Sequence, residues 1–316
     1  MEYALFKNRS YRGIISKGFG LYFSHFRLFF KASWLMAIIY AFVFAALEML
    51  LSVKLPALSA TIMKQEIVLK MELSQDVAQQ YLITIGSVCL LIILYVVVKA
   101  LTSATILNKL KEHQDSAKMT MPTHWFRICR KLMGRTLKGT VFTIVVVLIP
   151  LVLIVALLLA IHYMMPAATM ALHITTGVCC IALGLMSVPL VYVFMKYVMR
   201  PDKSYFSMLG SAYATGLRHW GQIFSSCLIV TIIVCTLAAV FCLPTIILAQ
   251  AHWISQEGFL NGDPLGMPGY INILSACTFF VTGFLLVYLY IPILMTCYYL
   301  YGSIETYEQE KNKLDV

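Results

Sequence analysis

The chain has 316 residues, of which 60% are hydrophobic and only 12% charged, and its formal net charge is +10. Water-soluble domains carry roughly 25% charged residues, so too little polar surface exists here to cover a globule in water, and lipid is left as the solvent. The basic excess lies in short segments beside apolar runs, where anionic headgroups are the nearer partner, and this argues against nucleic acid as a ligand.

Residues 1–31 carry Lys7, Arg9, Arg12, Lys17, Arg27 and Lys31, with Ile15, Phe19, Tyr22, Phe26 and Phe29 recurring at steps of three and four. That pattern predicts an amphipathic helix lying in the membrane interface. The segment is too long and too aromatic for a cleaved leader, so the first span is expected to remain as an anchor. Crossing a hydrocarbon core about 30 Å thick takes about 20 helical residues, and six runs qualify: 32–53, 81–107, 140–162, 167–197, 222–250 and 271–301. Backbone groups in lipid must bond within their own segment, and no alternating barrel strands are written here. The expected fold is therefore an all-α polytopic membrane helix bundle, a single integral domain over residues 1–316.

The connections alternate in charge. Six Lys or Arg fall in residues 1–31, three in 54–80, eight in 108–139 and none in 163–166. Four follow at Lys196, Arg200, Lys203 and Arg218, none lie in 251–270, and two stand at Lys311 and Lys313. Because flanking Lys and Arg resist translocation, the series predicts a multi-pass protein of the cytoplasmic (inner) membrane with both termini in the cytoplasm. Trp34, Trp125 and Trp220 fall at predicted inner boundaries and Trp253 at an outer one, where an indole prefers to lie.

One unit, a cytoplasmic amphipathic helix followed by a helical hairpin, is expected three times. Its third copy carries Phe206, Leu209, Tyr213, Leu217 and Trp220, and His219-Trp220 stands where His25-Phe26 stands in the first. The middle copy runs through Trp125, Ile128, Leu132 and Thr136 and is basic on its other side through Arg127, Lys131 and Lys138. Gly18-Phe19-Gly20-Leu21-Tyr22 and Ala212-Tyr213-Ala214-Thr215-Gly216 lead into spans, and Pro189 and Pro292 come late in even-numbered spans. In these features the chain resembles a broad group of bacterial six-span membrane proteins that includes the membrane domain attached to some glycerophosphodiester phosphodiesterases. The resemblance covers nearly the whole chain and implies a shape. No segment here matches the soluble phosphodiesterase domain, so it implies no catalysis.

Inside the spans, Glu48 and Lys99 are the clear charges. Burial of an ionised group in hydrocarbon costs about 2.5–3.5 kcal/mol on insertion scales, so each needs an explanation. At about 1.5 Å per residue they lie about 24 and 12 Å from the inner boundary, and the reading favours snorkelling to opposite interfaces over a direct pair, with a proton or cation site at Glu48 as the alternative. Pro150, Pro189, Pro244 and Pro292 are expected to free carbonyls and bend four successive spans, chiefly as packing kinks. Eight of the nine cysteines fall in spans. Stripes at Cys227, Thr231, Cys235, Ala238 and Cys242 and at Gly177, Cys180, Gly184 and Ser187 predict faces of close helix packing. His162, His173 and His252, with Glu257 and Asp263, form the one cluster with metal-binding residue types, and ordinary interfacial histidines are the favoured account of it.

No set of acid, base and nucleophile can be assembled, so no enzyme, no cofactor and no metal site is expected. The leading reading is a non-enzymatic membrane protein that meets anionic lipid headgroups, or a membrane or cytoplasmic protein partner, through its basic cytoplasmic face. Arg127, Lys131, Lys138, Arg27 and Arg218 are its candidate contacts. The alternative is a transporter or channel for a lipid-like or amphipathic solute, drawn from the four prolines and from Tyr192, Tyr288, Tyr290 and Tyr298.

Overall fold

A computed structural model describes residues 5–65, 74–116, 125–164, 169–200, 204–262 and 266–314, with the side chains of residues 112–132, 159–160 and 162–173 left aside. Ten α-helices account for these segments, and among the described residues there is no strand. They are α1 (Tyr11–Ser24), α2 (Phe26–Met49), α3 (Leu55–Met63), α4 (Gln75–Ser116), α5 (Trp125–Met164), α6 (Thr169–Ser187), α7 (Leu190–Met199), α8 (Tyr205–Arg218), α9 (Trp220–Leu260) and α10 (Tyr270–Leu314). Six stretches are long and apolar enough to cross a membrane: Phe26–Met63, Gln75–Lys111, Met133–Leu158, Ile174–Met199, Trp220–Leu260 and Tyr270–Lys313. The protein is an all-α polytopic helix bundle.

The helices are distributed over two compact bodies. One comprises Met1–Phe26, Ser103–Thr231 and Pro292–Val316, the other Arg27–Thr102 and Ile232–Ile291.

In the second body the first span is longer than the hydropathy reading allowed. Residues 54–63, expected in an outer loop, continue the helix: a π-helical turn at Leu50–Lys54 links α2 to α3. Pro56 accounts for the turn. Its ring would crowd the carbonyl four residues earlier and it offers no N–H, whereas the widened turn lets the Leu55 N–H reach the Leu50 carbonyl instead. Side chains then tie this body together. Tyr40 Oη meets Tyr95 Oη at 2.6 Å, Thr245 Oγ1 donates to Thr282 Oγ1 at 2.9 Å, and Phe44 packs so near Gly283 that a Cβ there would stand 2.8 Å from its ring.

The first body holds two matched elbows. Ser10 and Ser204 each cap a 14-residue helix, accepting from the N–H of Gly13 and of Ser207. His25 (φ −119°, ψ 20°) and His219 (φ −101°, ψ 20°) then break α1 from α2 and α8 from α9. Burial keeps the same register from the cap onward: Ile14 matches Met208, Gly18 matches Ala212 and Tyr22 matches Gly216, all buried. Two of the three expected helix-plus-hairpin units therefore begin with a separate helix. The middle one does not, because α5 runs unbroken from Trp125 to Met164, with no capping serine and no histidine break at the corresponding place.

The prolines also divide. Helix is continuous through Pro150, Pro244 and Pro292, and regular structure is lost only at Pro189, between α6 and α7. There the carbonyls of Leu185 and Met186, left short of partners by the break, accept from Trp220 Nε1 at 3.1 Å and Tyr213 Oη at 2.9 Å. The expected small-residue stripes are only in part where helices close up: Cys227 reaches Cys297 of α10. Gly177, Cys180, Gly184, Thr231 and Cys235 are exposed, and the close approaches are made at Gly18, Gly139, Gly216, Gly283 and Gly302. Small size permits contact, but a neighbouring helix has to present matching relief at that level.

Candidate functional site: the polar face along the end of α10

The last half of α10, from Pro292 onward, is a post to which three other segments of the first body are tied. A Cβ on Gly18 would lie 2.9 Å from Thr296 Oγ1, and one on Gly302 would lie 2.6 Å from the Leu5 carbonyl oxygen. Arg9 donates its backbone N–H to Ser303 Oγ at 3.0 Å and holds its guanidinium 5.3 Å from the centre of the Tyr299 ring. Burial lowers the Arg9 pKa from its ordinary value, and Tyr299 opposes that shift.

Two turns further on, Glu305 is buried at 5% exposure. Its Oε1 accepts from Tyr192 Oη at 2.6 Å and pairs with Lys196 Nζ at 2.8 Å, and its Oε2 pairs with Arg200 Nη2 at 2.5 Å. A buried carboxylate is costly unless its lone pairs are filled, and here two cations and a phenol fill them. Burial acts to lower the Arg200 pKa, but Glu305, Tyr301 and Tyr192 outweigh it and raise the value. The C-terminal end of α7 is further closed by Arg135 of α5, which donates to the carbonyls of Tyr197 (2.6 Å) and Arg200 (2.5 Å) and lies 4.0 Å from the Tyr197 ring centre.

Beside this post opens a cleft of about 480 Å³ lined by Asn8, Arg218, His219, Gln222, Tyr307, Glu308 and Lys311. His219, the elbow residue, donates from Nε2 to Glu308 Oε1 at 2.8 Å and stands edge-on to Tyr307 with centroids 5.0 Å apart. Gln222 Nε2 donates to the Arg9 carbonyl at 2.9 Å. Among the described residues, neither Arg218 nor Lys311 makes an ion pair or a hydrogen bond. A second cavity, about 330 Å³ and mainly apolar, lies at the Pro189 break between Val146, Pro150, Leu183, Leu190, Leu209 and Tyr213.

Of the candidate contacts read from sequence, Arg218 lines the cleft, Lys138 is exposed on α5 and Arg27 is exposed on α2 in the second body. Arg127 and Lys131 lie outside the described side chains. Glu48 is half-buried and hydrogen-bonds Ser52 in the π-helical turn. Lys99 holds its ammonium 5.0 Å from the Tyr290 ring centre, a contact the sequence reading did not foresee. The side chains of His162 and His173 are among those left aside, Asp263 falls outside the described residues, Glu257 is exposed, and His252 is buried 3.0 Å from Ser275 Oγ. Among the described residues no group of three or more His, Cys, Asp or Glu is placed to hold a metal. Glu305 was missed because the apolar run ends at Tyr301. The available signal was the pair Glu305 and Glu308, three apart and thus on one helix face, continuing the last span opposite basic connections.

No family model matches this chain, and neither does any curated protein or any solved structure. What the fold itself defines is a multi-pass helical membrane protein.

Proposed function

We propose that the protein is a non-enzymatic inner-membrane protein that engages anionic lipids through a basic cytoplasmic face, both termini lying on that side. One observation carries the reading: each elbow buries one edge and leaves an apolar edge uncovered in matching register. Phe23 in the first corresponds to Leu217 in the second, 69% and 44% exposed, and Phe26, 42% exposed, extends the edge in the first. Apolar edges next in the chain to Arg27 and Arg218, together with Lys138 exposed on α5, are the chemistry of a headgroup layer with anionic lipid. Native mass spectrometry of protein extracted gently from its own membrane tests this. Anionic lipid should co-purify and should fall in the combined variant R27Q/K138Q/R218Q; equal retention by the variant would contradict it.

A second reading, passage of an amphipathic solute, draws on the apolar cavity at the Pro189 break. Flux into proteoliposomes that exceeds protein-free leakage would favour it over the first.

A further inference from the structure

We infer that the cleft beneath the second elbow is a binding site for a phosphate group, and the lipid source of that phosphate rests on the reading just given. The argument begins with charge. The neighbouring cations have partners: Lys196 and Arg200 share Glu305, and Arg135 closes the carbonyl end of α7. In the cleft the sole carboxylate, Glu308, is taken by His219, while Arg218 and Lys311 stand on its walls with no ion pair among the described residues. Two cations without an ion pair, standing on the walls of one open cleft, favour an anion there.

Shape and donors narrow the class. A guanidinium fork and an ammonium fit the tetrahedral oxygens of phosphate, the first by paired N–H donors and the second as a point charge. Asn8 and Tyr307 add neutral donors on the same walls. His219 and Gln222, both on the cleft walls, flank the first turn of α9, and a helix N-terminus favours an anion. Glu308, which lines the cleft and is bonded to His219, opposes a dianion at close range. Removing its charge should therefore strengthen binding while leaving the cations in place.

The source is either the headgroup of a phosphate-terminated lipid or a free phosphate compound. The experiment uses the full chain in a phosphate-free sugar detergent and calorimetric titration with three probes: short-chain phosphatidic acid, the matching phosphate-free diacylglycerol, and inorganic phosphate. Phosphatidic acid should bind at one per chain and diacylglycerol should not. R218Q and K311Q should each weaken binding about tenfold, the loss of one charge-assisted contact, and E308Q should tighten it a few-fold. Phosphatidic acid binding well ahead of inorganic phosphate assigns the site to lipid; equal binding assigns it to free phosphate. Unchanged affinity in both R218Q and K311Q, with E308Q also unchanged, overturns the site. E308Q separates this from misfolding, since a gain of affinity cannot come from a damaged protein. The wider lipid reading fails separately, if native membrane extracts carry no anionic lipid while the cleft still binds its probe.

Discussion

Gly216 lies against Pro189 so closely that a Cβ on the glycine would stand 2.9 Å from the proline Cβ and 3.2 Å from its carbonyl oxygen. The second elbow thus docks directly on the Pro189 break, and Tyr213 and Trp220 supply hydrogen bonds to the carbonyls exposed there. Substituting Gly216→Val should cost about 1–3 kcal/mol by overpacking against backbone that has no room to move. Gly210, the sixth residue of the same helix and with nothing within 4 Å of its Cβ position, is the control, and Gly210→Ala should be neutral or slightly stabilising. Thermal unfolding in detergent separates the two.

Glu305→Gln should destabilise the first body. It leaves Lys196 and Arg200 facing each other across an uncharged amide, and the loss should be about 2 kcal/mol, below the 3–5 kcal/mol typical of fully buried pairs because Arg200 reaches solvent. Replacing Lys196 with Met in the E305Q background should recover part of the loss. A melting midpoint for E305Q equal to the parent would show the network to be idle.

Gly302→Leu should release the N-terminal strap. The added side chain occupies the position of Leu5, which is buried at 5% exposure, and so displaces the segment that carries Arg9 to Ser303. Trypsin should then cleave after Lys7 and Arg9 faster than in the parent, with cleavage elsewhere unchanged. Equal rates would mean that the strap is held by other contacts.

These positions mark the boundary of what one sequence reveals. The six spans were legible because hydropathy depends on side chains alone, summed over about 20 residues. The elbows were half legible. Of the stripe Phe206, Leu209, Tyr213, Leu217 and Trp220, only Phe206 and Leu217 are exposed while Tyr213 and Trp220 turn to the Pro189 break, and in the first elbow Tyr22 and Phe29 are buried and Phe23 is outside. Periodicity finds an apolar face without saying whether protein or lipid covers it. Lys54 and Pro56 looked like the end of a span because both residue types commonly end one, yet a π-helical turn absorbs the proline and the helix goes on. Glu305 and Arg135 were illegible for another reason: each acquires its role from a partner more than 60 residues away in the chain.

The central claim, that the two elbows present their uncovered edges to lipid, is tested most directly by a photo-crosslinking amino acid placed in turn at Phe23, Leu217, Ile14 and Met208 in native membranes. The first two positions are exposed in matching register and the last two are buried in matching register. The account predicts lipid adducts at Phe23 and Leu217 and none at Ile14 and Met208. Adducts confined to water or to protein at Phe23 and Leu217 would contradict it.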